Sequence, residues 1–286
     1  MSGLAFSEKI PTLRKVIAKH IALDNVPKNI RFSIGMIAIT LLLFSASNRN
    51  VRLTLDTVVI DAGHGGKDPG TMGKRSKEKD IALKISLKLG AYIERNLPDV
   101  KVIYTRKTDR YLEIDERPRI ANQNKADLFI CIHANANANA QVFGTETYVM
   151  GLTKEGKNFD VAKRENAVML LDENYKERYE GFDPNSPESY ILFSLSQNAF
   201  LENSLSFADK IENQFKNRVG RNSRGVKQGP FWVLWSTAMP SVLIETGFLS
   251  NSKEEEFLLS EQGQDLIASG IFRAFRDYKV QMESIN

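Results

Sequence analysis

The sequence is poor in the residues that staple or ligate small folds. It has one cysteine, Cys131, in 286 residues, which excludes an intrachain disulfide framework and any Cys-rich zinc site. It has three histidines and two tryptophans, so histidine chemistry has few places to reside. Long apolar runs are scarce too: Phe32–Phe44 (FSIGMIAITLLLF) is 13 residues, short of the ~17–25 that a membrane-spanning helix needs. Nor is there a charge surplus in most of the chain. The formal net charge is +4, but residues 1–47 hold six basic and two acidic residues, and the remainder carries 33 of each sign. A neutral body without a basic stripe gives no support to nucleic-acid binding.

What is present describes a soluble globular protein, 42% hydrophobic and 26% charged. The basic residues 1–31 precede the apolar run, and Ser45-Ala46-Ser47 follows it. That order is read as an export signal, in preference to a buried core helix. The basic region is long for a signal, so a retained membrane anchor stays open beside cleavage. His20 falls in this leader and is assigned no chemical role.

From Thr57 the pattern is regular. Thr57–Asp61 reads as a strand. Residues 79–96 carry Ile81, Ile85, Leu89 and Ile93 at four-residue spacing, an amphipathic helix. Val100–Thr105 reads as a strand, 113–124 as a helix, and Leu128–His133 and Gly144–Met150 as strands. Residues 151–224 are polar and Asn-rich, with helices expected at about 160–178 and 195–219 around a loop at Gly181–Pro187. Strands are expected again at Phe231–Leu234 and Ser241–Glu245, then a closing helix at Glu261–Tyr278. Alternating strands and helices imply an α/β fold with a mixed, mostly parallel central sheet flanked by helices. One domain, 56–286, is expected to carry a helical insertion at about 151–224.

Beyond the leader there are two histidines, His64 and His133; His64 follows the first expected strand and His133 ends the run Leu128–His133. Ligand sites in α/β sheets gather at the carboxyl ends of strands, so the two are placed to converge. A third metal ligand would be a carboxylate or thiol. Glu78, at the start of the amphipathic helix, fits that role, though an acid there also complements the helix dipole. Cys131 lies in an apolar run and reads better as a core thiol. Glu245 ends an apolar strand, where a carboxylate is costly to bury without purpose. It is either a structural hydrogen-bond acceptor or a general base.

Four blocks carry a family resemblance: VVIDAGHGGKDPG (58–70), KEKDIAL (77–83), YTRKTDRYLEIDERPRIANQNKADLFICIHANA (104–136) and PSVLIETGFLSN (240–251). The chain resembles the zinc-dependent N-acetylmuramoyl-L-alanine amidases of bacterial cell-wall remodelling. The resemblance implies one zinc ion held by His64, Glu78 and His133, with Glu245 as the catalytic glutamate. Some relatives place an acid two residues after the second histidine. Here that position is Asn135, a candidate substrate contact. The resemblance implies hydrolysis of the amide between N-acetylmuramic acid and L-alanine in peptidoglycan. A zinc peptidase cutting within the stem peptide and an inactive peptidoglycan- or partner-binding relative are the rival readings.

In relatives that act at cell division, an inserted helix covers the zinc until an activator protein displaces it. Glu165 is similar in placement to the blocking glutamate, against a plain reading of 151–200 as a solvated helix face. Arg106 and Arg117 could meet substrate carboxylates, but a local structural role, pairing with Asp109 or Asp115, is favoured. The expected location is outside the cytoplasm, in a periplasm, with membrane contact only through the N-terminal segment.

Overall fold

A computed structural model describes residues 54–151, 156–190 and 199–284. The basic leader, its apolar run and His20 lie outside the described residues. In chain order the strands and helices are β1 (Thr57–Ala62), α1 (Glu78–Asn96), β2 (Lys101–Tyr104), α2 (Glu116–Gln123), β3 (Leu128–Asn135) and β4 (Thr145–Met150). There follow α3 (Gly156–Asn166), α4 (Tyr175–Arg178), α5 (Leu201–Gln214), β5 (Ser223–Gly229), α6 (Trp232–Trp235), β6 (Ser241–Phe248), α7 (Ser252–Leu259) and α8 (Glu261–Ser284). Among the described residues no helix is long and apolar enough to cross a membrane.

The six strands form one sheet in the order β2-β1-β3-β6-β4-β5. The first four are mutually parallel. β4 runs antiparallel to β6, and β5 runs parallel to β4. Helices cover both faces, as expected of a mostly parallel sheet.

Side chains alternate between the two faces of a strand, and this decides what each face holds. Val58 and Ile60 of β1, Ile130 and Ile132 of β3, and Val242 and Ile244 of β6 face one core layer. There they meet Ile81, Ile85, Leu89 and Ile93 of α1, each at most 1% exposed. Each such side chain contributes on the order of 2 kcal/mol by leaving water. α5 and α8 complete this layer through Phe207, Ile211, Ile271 and Phe275. The opposite face holds Val59, Phe129, Cys131, Tyr148 and Leu243, packed against Met169, Tyr179, Phe182 and Tyr190 of the segment after β4.

Two local expectations are corrected. Phe231–Leu234 is not a strand: Trp232–Trp235 forms one helical turn, because a four-residue apolar run carries no period of its own. The strand lies at Ser223–Gly229 instead, at the sheet edge, where a half-exposed polar sequence suffices. The helix expected at about 195–219 is present as α5, Leu201–Gln214. α5 buries Phe207, Ala208 and Ile211 and forms the connection between parallel β4 and β5. α7 was not expected; Asn251 caps it, its side chain accepting from Lys253 N and Glu254 N.

Candidate functional site

The expected site residues meet at the carboxyl ends of β1, β3 and β6. β1 ends in a glycine-flanked loop. His64 there has φ of 58°, a left-handed conformation uncommon outside glycine. The loop is held by two buried arginines. Arg117 donates to Asp61 Oδ1 (2.9 Å), Ala62 O (2.8 Å), His64 O (2.9 Å) and Leu112 O (3.2 Å). Arg106 donates to Ala62 O, Gly63 O, Lys79 O and Thr108 O. Arg106 is 1% exposed, and its donors are engaged by carbonyls that brace the loop. The acids expected as its partners pair elsewhere, Asp109 with Lys79 and Asp115 with Arg178.

The register Asp61↔Cys131 sets β1 against β3, and His133↔Glu245 sets β3 against β6. Two-residue periodicity then puts Cys131, His133, Leu243 and Glu245 on the same face, beneath the segment after β4. Cys131 donates to Asp61 Oδ2 (3.0 Å). Burial, helped by the Asp61 charge, pushes its thiol up to about 12, which makes it inert.

Glu78 opens α1. Its Oε1 lies 3.1 Å from His64 Nε2 and 2.9 Å from His133 Nδ1, and accepts from Ala134 N. Its Oε2 accepts from Thr71 N (2.7 Å). Glu165 of α3 enters from the other side. Its Oε2 lies 3.3 Å from His64 Nε2 and 3.1 Å from His133 Nδ1. All four residues are buried, and their ligand atoms lie within 4.8 Å of one another. Ligands about 2.0–2.1 Å from a tetrahedral zinc stand about 3.3 Å apart, close to the spacings here.

Two further observations fit a cation at this point. His64 Nε2 and Glu165 Oε2 are buried without a hydrogen-bond partner, a costly arrangement unless something else satisfies them. The far nitrogen of His64, Nδ1, is 2.6 Å from Asp68 Oδ2, the carboxylate support that orients ligating histidines. Burial opposes protonation of His64, yet Glu78, Asp68 and Glu165 together hold its pKa well above the ordinary value. Negative charge dominates the cluster, as a divalent ion requires.

Glu245 stands beside this cluster, 0% exposed. Neither of its oxygens has a hydrogen-bond partner. Burial, with Glu165 and Glu78 adding to it, raises its carboxyl well above the usual range.

Sequence reasoning missed Arg164. Its Nη2 is 3.0 Å from Glu165 Oε1, 3.0 Å from Asn135 Oδ1 and 3.7 Å from Glu245 Oε1, and its Nη1 donates to Ala136 O (3.3 Å). Adjacent helical residues do not face each other, so only tertiary contacts reveal the pairing. Glu146 was also missed. It sits opposite Glu245 on β4 and takes Asn135 Nδ2, Tyr148 Oη, Arg224 and Lys227.

The sequence profile of N-acetylmuramoyl-L-alanine amidases matches residues 58–277. The chain belongs to this amidase family. It is 33% identical over 225 residues to the amidase AmiA of Escherichia coli strain K12, covering 77% of this chain and 75% of AmiA. It is 31% identical over 230 residues to the amidase AmiC of Escherichia coli O6:H1, covering 77% of this chain but 52% of AmiC. The chain thus spans about half the length of that relative. Among solved structures, the catalytic domain of the amidase CwlV from Bacillus (Paenibacillus) polymyxa var. colistinus superposes with a TM-score of 0.58 at 31% identity, covering 78% of this chain and 97% of that domain. The CwlD amidase of Clostridioides difficile, solved with the GerS lipoprotein, gives 0.58 at 28%, covering 78% and 98%. The mixed sheet and its flanking helices are therefore the fold of amidases in this family.

Proposed function

We propose that this chain is a zinc-dependent hydrolase that cuts the amide between N-acetylmuramic acid and L-alanine in peptidoglycan, and that the segment after β4 holds it closed. The observation that supports it best is the convergence of His64, Glu78 and His133 beside Glu245, a buried carboxylate with no hydrogen-bond partner. The donor set, two imidazoles and a carboxylate, is that of a catalytic zinc site with an open position.

A zinc ion there supplies positive charge for the scissile carbonyl oxygen and lowers the pKa of water towards ~7. The chain's residues do the rest. Asp68 and the braced loop fix the His64 ring. Glu245 takes a proton from the attacking water and returns it to the departing nitrogen, serving as base and then acid. Its raised pKa suits a group that must hold a proton between those steps. No nucleophilic side chain is required, and Cys131 is too deeply protonated to serve.

Glu165 fills the position that water and substrate need, so this arrangement is a resting state. An activator that draws α3 away would open the site. The CwlD structure was solved with a lipoprotein partner, which supports partner binding as a feature to seek in this chain. The basic and apolar leader supports export to a periplasm, cleaved or retained as an anchor, and a role in wall remodelling or daughter-cell separation.

The test is digestion of purified peptidoglycan by the Glu165→Ala protein, with and without a chelator, read by mass spectrometry. Free stem peptides beginning with L-alanine, lost with chelator, are expected. Fragments cut inside the stem would replace the amidase reading by a peptidase. Glu245→Gln should keep zinc and lose turnover; unchanged turnover refutes the role of Glu245.

A further inference from the structure

Hydrolysis of an amide consumes one water and yields two products of opposite charge. The C–N bond breaks, the acyl carbon keeps the water oxygen as a carboxylate, and the nitrogen leaves as an amine that takes a proton to become an ammonium. At the moment of cleavage these groups lie only a bond length or two apart. The α3 helix brings the same two charges to the site on consecutive residues. Glu165 presents a carboxylate to His64 and His133, at 3.3 and 3.1 Å. Arg164 presents a guanidinium to Glu245 Oε1 at 3.7 Å, to Asn135 Oδ1 at 3.0 Å and to Ala136 O at 3.3 Å.

We infer that Arg164 and Glu165 imitate the ammonium and carboxylate products, and that Glu245, Asn135 Oδ1 and the Ala136 carbonyl form the subsite for the leaving amine. This rests on the amidase reading and adds to it a place for the peptide's new N-terminus.

The acceptors suit an ammonium. An ammonium has three donors and no acceptor, and three oxygens outside α3 line the Arg164 guanidinium: Asn135 Oδ1 at 3.0 Å and Glu245 Oε1 at 3.7 Å from Nη2, which also meets Glu165 Oε1 at 3.0 Å, and Ala136 O at 3.3 Å from Nη1. The side chain of Asn135 is oriented for the task. Its Nδ2 donates to Glu146 Oε2 (3.1 Å), and Glu146 is itself fixed by Tyr148, Arg224 and Lys227. That leaves Oδ1 pointing into the site, where Arg164 and Ala136 N meet it. Glu245, the group that delivers the proton to the nitrogen, is also one wall of this subsite. The amine is thus protonated where it is then held. An arginine serving only to fasten α3 needs surface acceptors; it has no need of the catalytic carboxylate.

Two peptides differing at one group provide the test: an L-alanyl stem peptide with a free N-terminus, and the same peptide N-acetylated. Each is titrated calorimetrically into the full chain carrying Arg164→Ala. The free amine is expected to bind about tenfold or more tightly, the scale of a charge-assisted contact. In wild type, where Arg164 holds the subsite, that preference should be absent. Adding Asn135→Leu to Arg164→Ala should abolish it, whereas Asn135→Asp, which keeps an acceptor, should retain it. Thermal melts establish that each variant is folded. Equal binding of the two peptides by Arg164→Ala overturns the inference. So does a preference that survives Asn135→Leu, or one lost in Asn135→Asp. Binding is read without turnover, so free-amine preference in Arg164→Ala beside a Glu165→Ala protein that releases no stem peptide would refute the amidase reading alone.

Discussion

Replacing Arg117 by methionine should destabilise the protein far more than a typical substitution, because of what it leaves behind. Arg117 and Asp61 are 4% and 0% exposed and 2.9 Å apart. Removing one partner of a buried ion pair costs about 3–5 kcal/mol, since the other charge stays buried and uncompensated. Three carbonyls, of Ala62, His64 and Leu112, lose a donor as well. For domains of about 150–250 residues each kcal/mol lowers Tm by about 2–4 °C, so a fall of about 6–20 °C is expected. Urea unfolding should show a lower midpoint with the slope kept. Arg117→Met combined with Asp61→Asn removes the stranded charge and should regain about 2 kcal/mol of the loss. The pH dependence has a definite sign. Burial opposes ionisation of Asp61, but Arg117, Cys131 and Thr105 depress its folded pKa below the ordinary value. The stabilisation is full above the unfolded value of about 3.9 and is lost as pH falls through the folded one. Wild type should weaken below pH about 4, and Arg117→Met should lack that component. A loss under about 1 kcal/mol, or a double variant weaker than the single one, would refute the role given to this pair.

Other outcomes follow from the site. Glu165→Ala removes the carboxylate facing both histidines and should raise stem-peptide release about tenfold or more; an unchanged rate in a release assay would end the self-inhibition reading. Gly70→Ala should weaken zinc about 10–100-fold in a competition assay with a chromogenic chelator, the scale of losing ligand support. A Cβ there, at φ of 65°, would stand 2.5 Å from the His64 ring and 2.7 Å from Glu78 Oε2. Cys131 should resist thiol reagents in the folded protein and react stoichiometrically once unfolded; rapid native labelling would contradict its burial.

The parts legible in the sequence are those governed by local periodicity. Ile81, Ile85, Leu89 and Ile93 announced α1 because one helix face is buried along its whole length. The strands that carry His64 and His133 were legible from their apolar runs, though β1 stops at Ala62, two residues before His64, and β3 continues to Asn135, two residues past His133. The edge strand Ser223–Gly229 was not, since pairing on one side asks for no hydrophobic run. Trp232–Trp235 misled for the opposite reason: it is apolar on every side and so tells nothing of its backbone. Arg164 and Asn135 acquire their partners through α3 lying over β3 and β6, and no spacing along the chain encodes that. Arg106 and Arg117 were expected near acids in their own loop. Their partners are instead Asp61 and backbone carbonyls of β1 and its following turn, of α1 at Lys79, and of their own loop at Thr108 and Leu112.

The reversed direction of β4 has a mechanical consequence. β4 starts beside Glu245 and runs away from it, so Met150 and Gly151 lie at the far edge, where Gly151 N bonds Gly229 O. The chain must then cross the sheet face again to deliver Glu165, and α3, 11 residues long, provides about 16 Å of that return. Point of attachment and point of action are thus a strand's length apart. α3 can lift from the catalytic edge with every strand pairing of the sheet still in place.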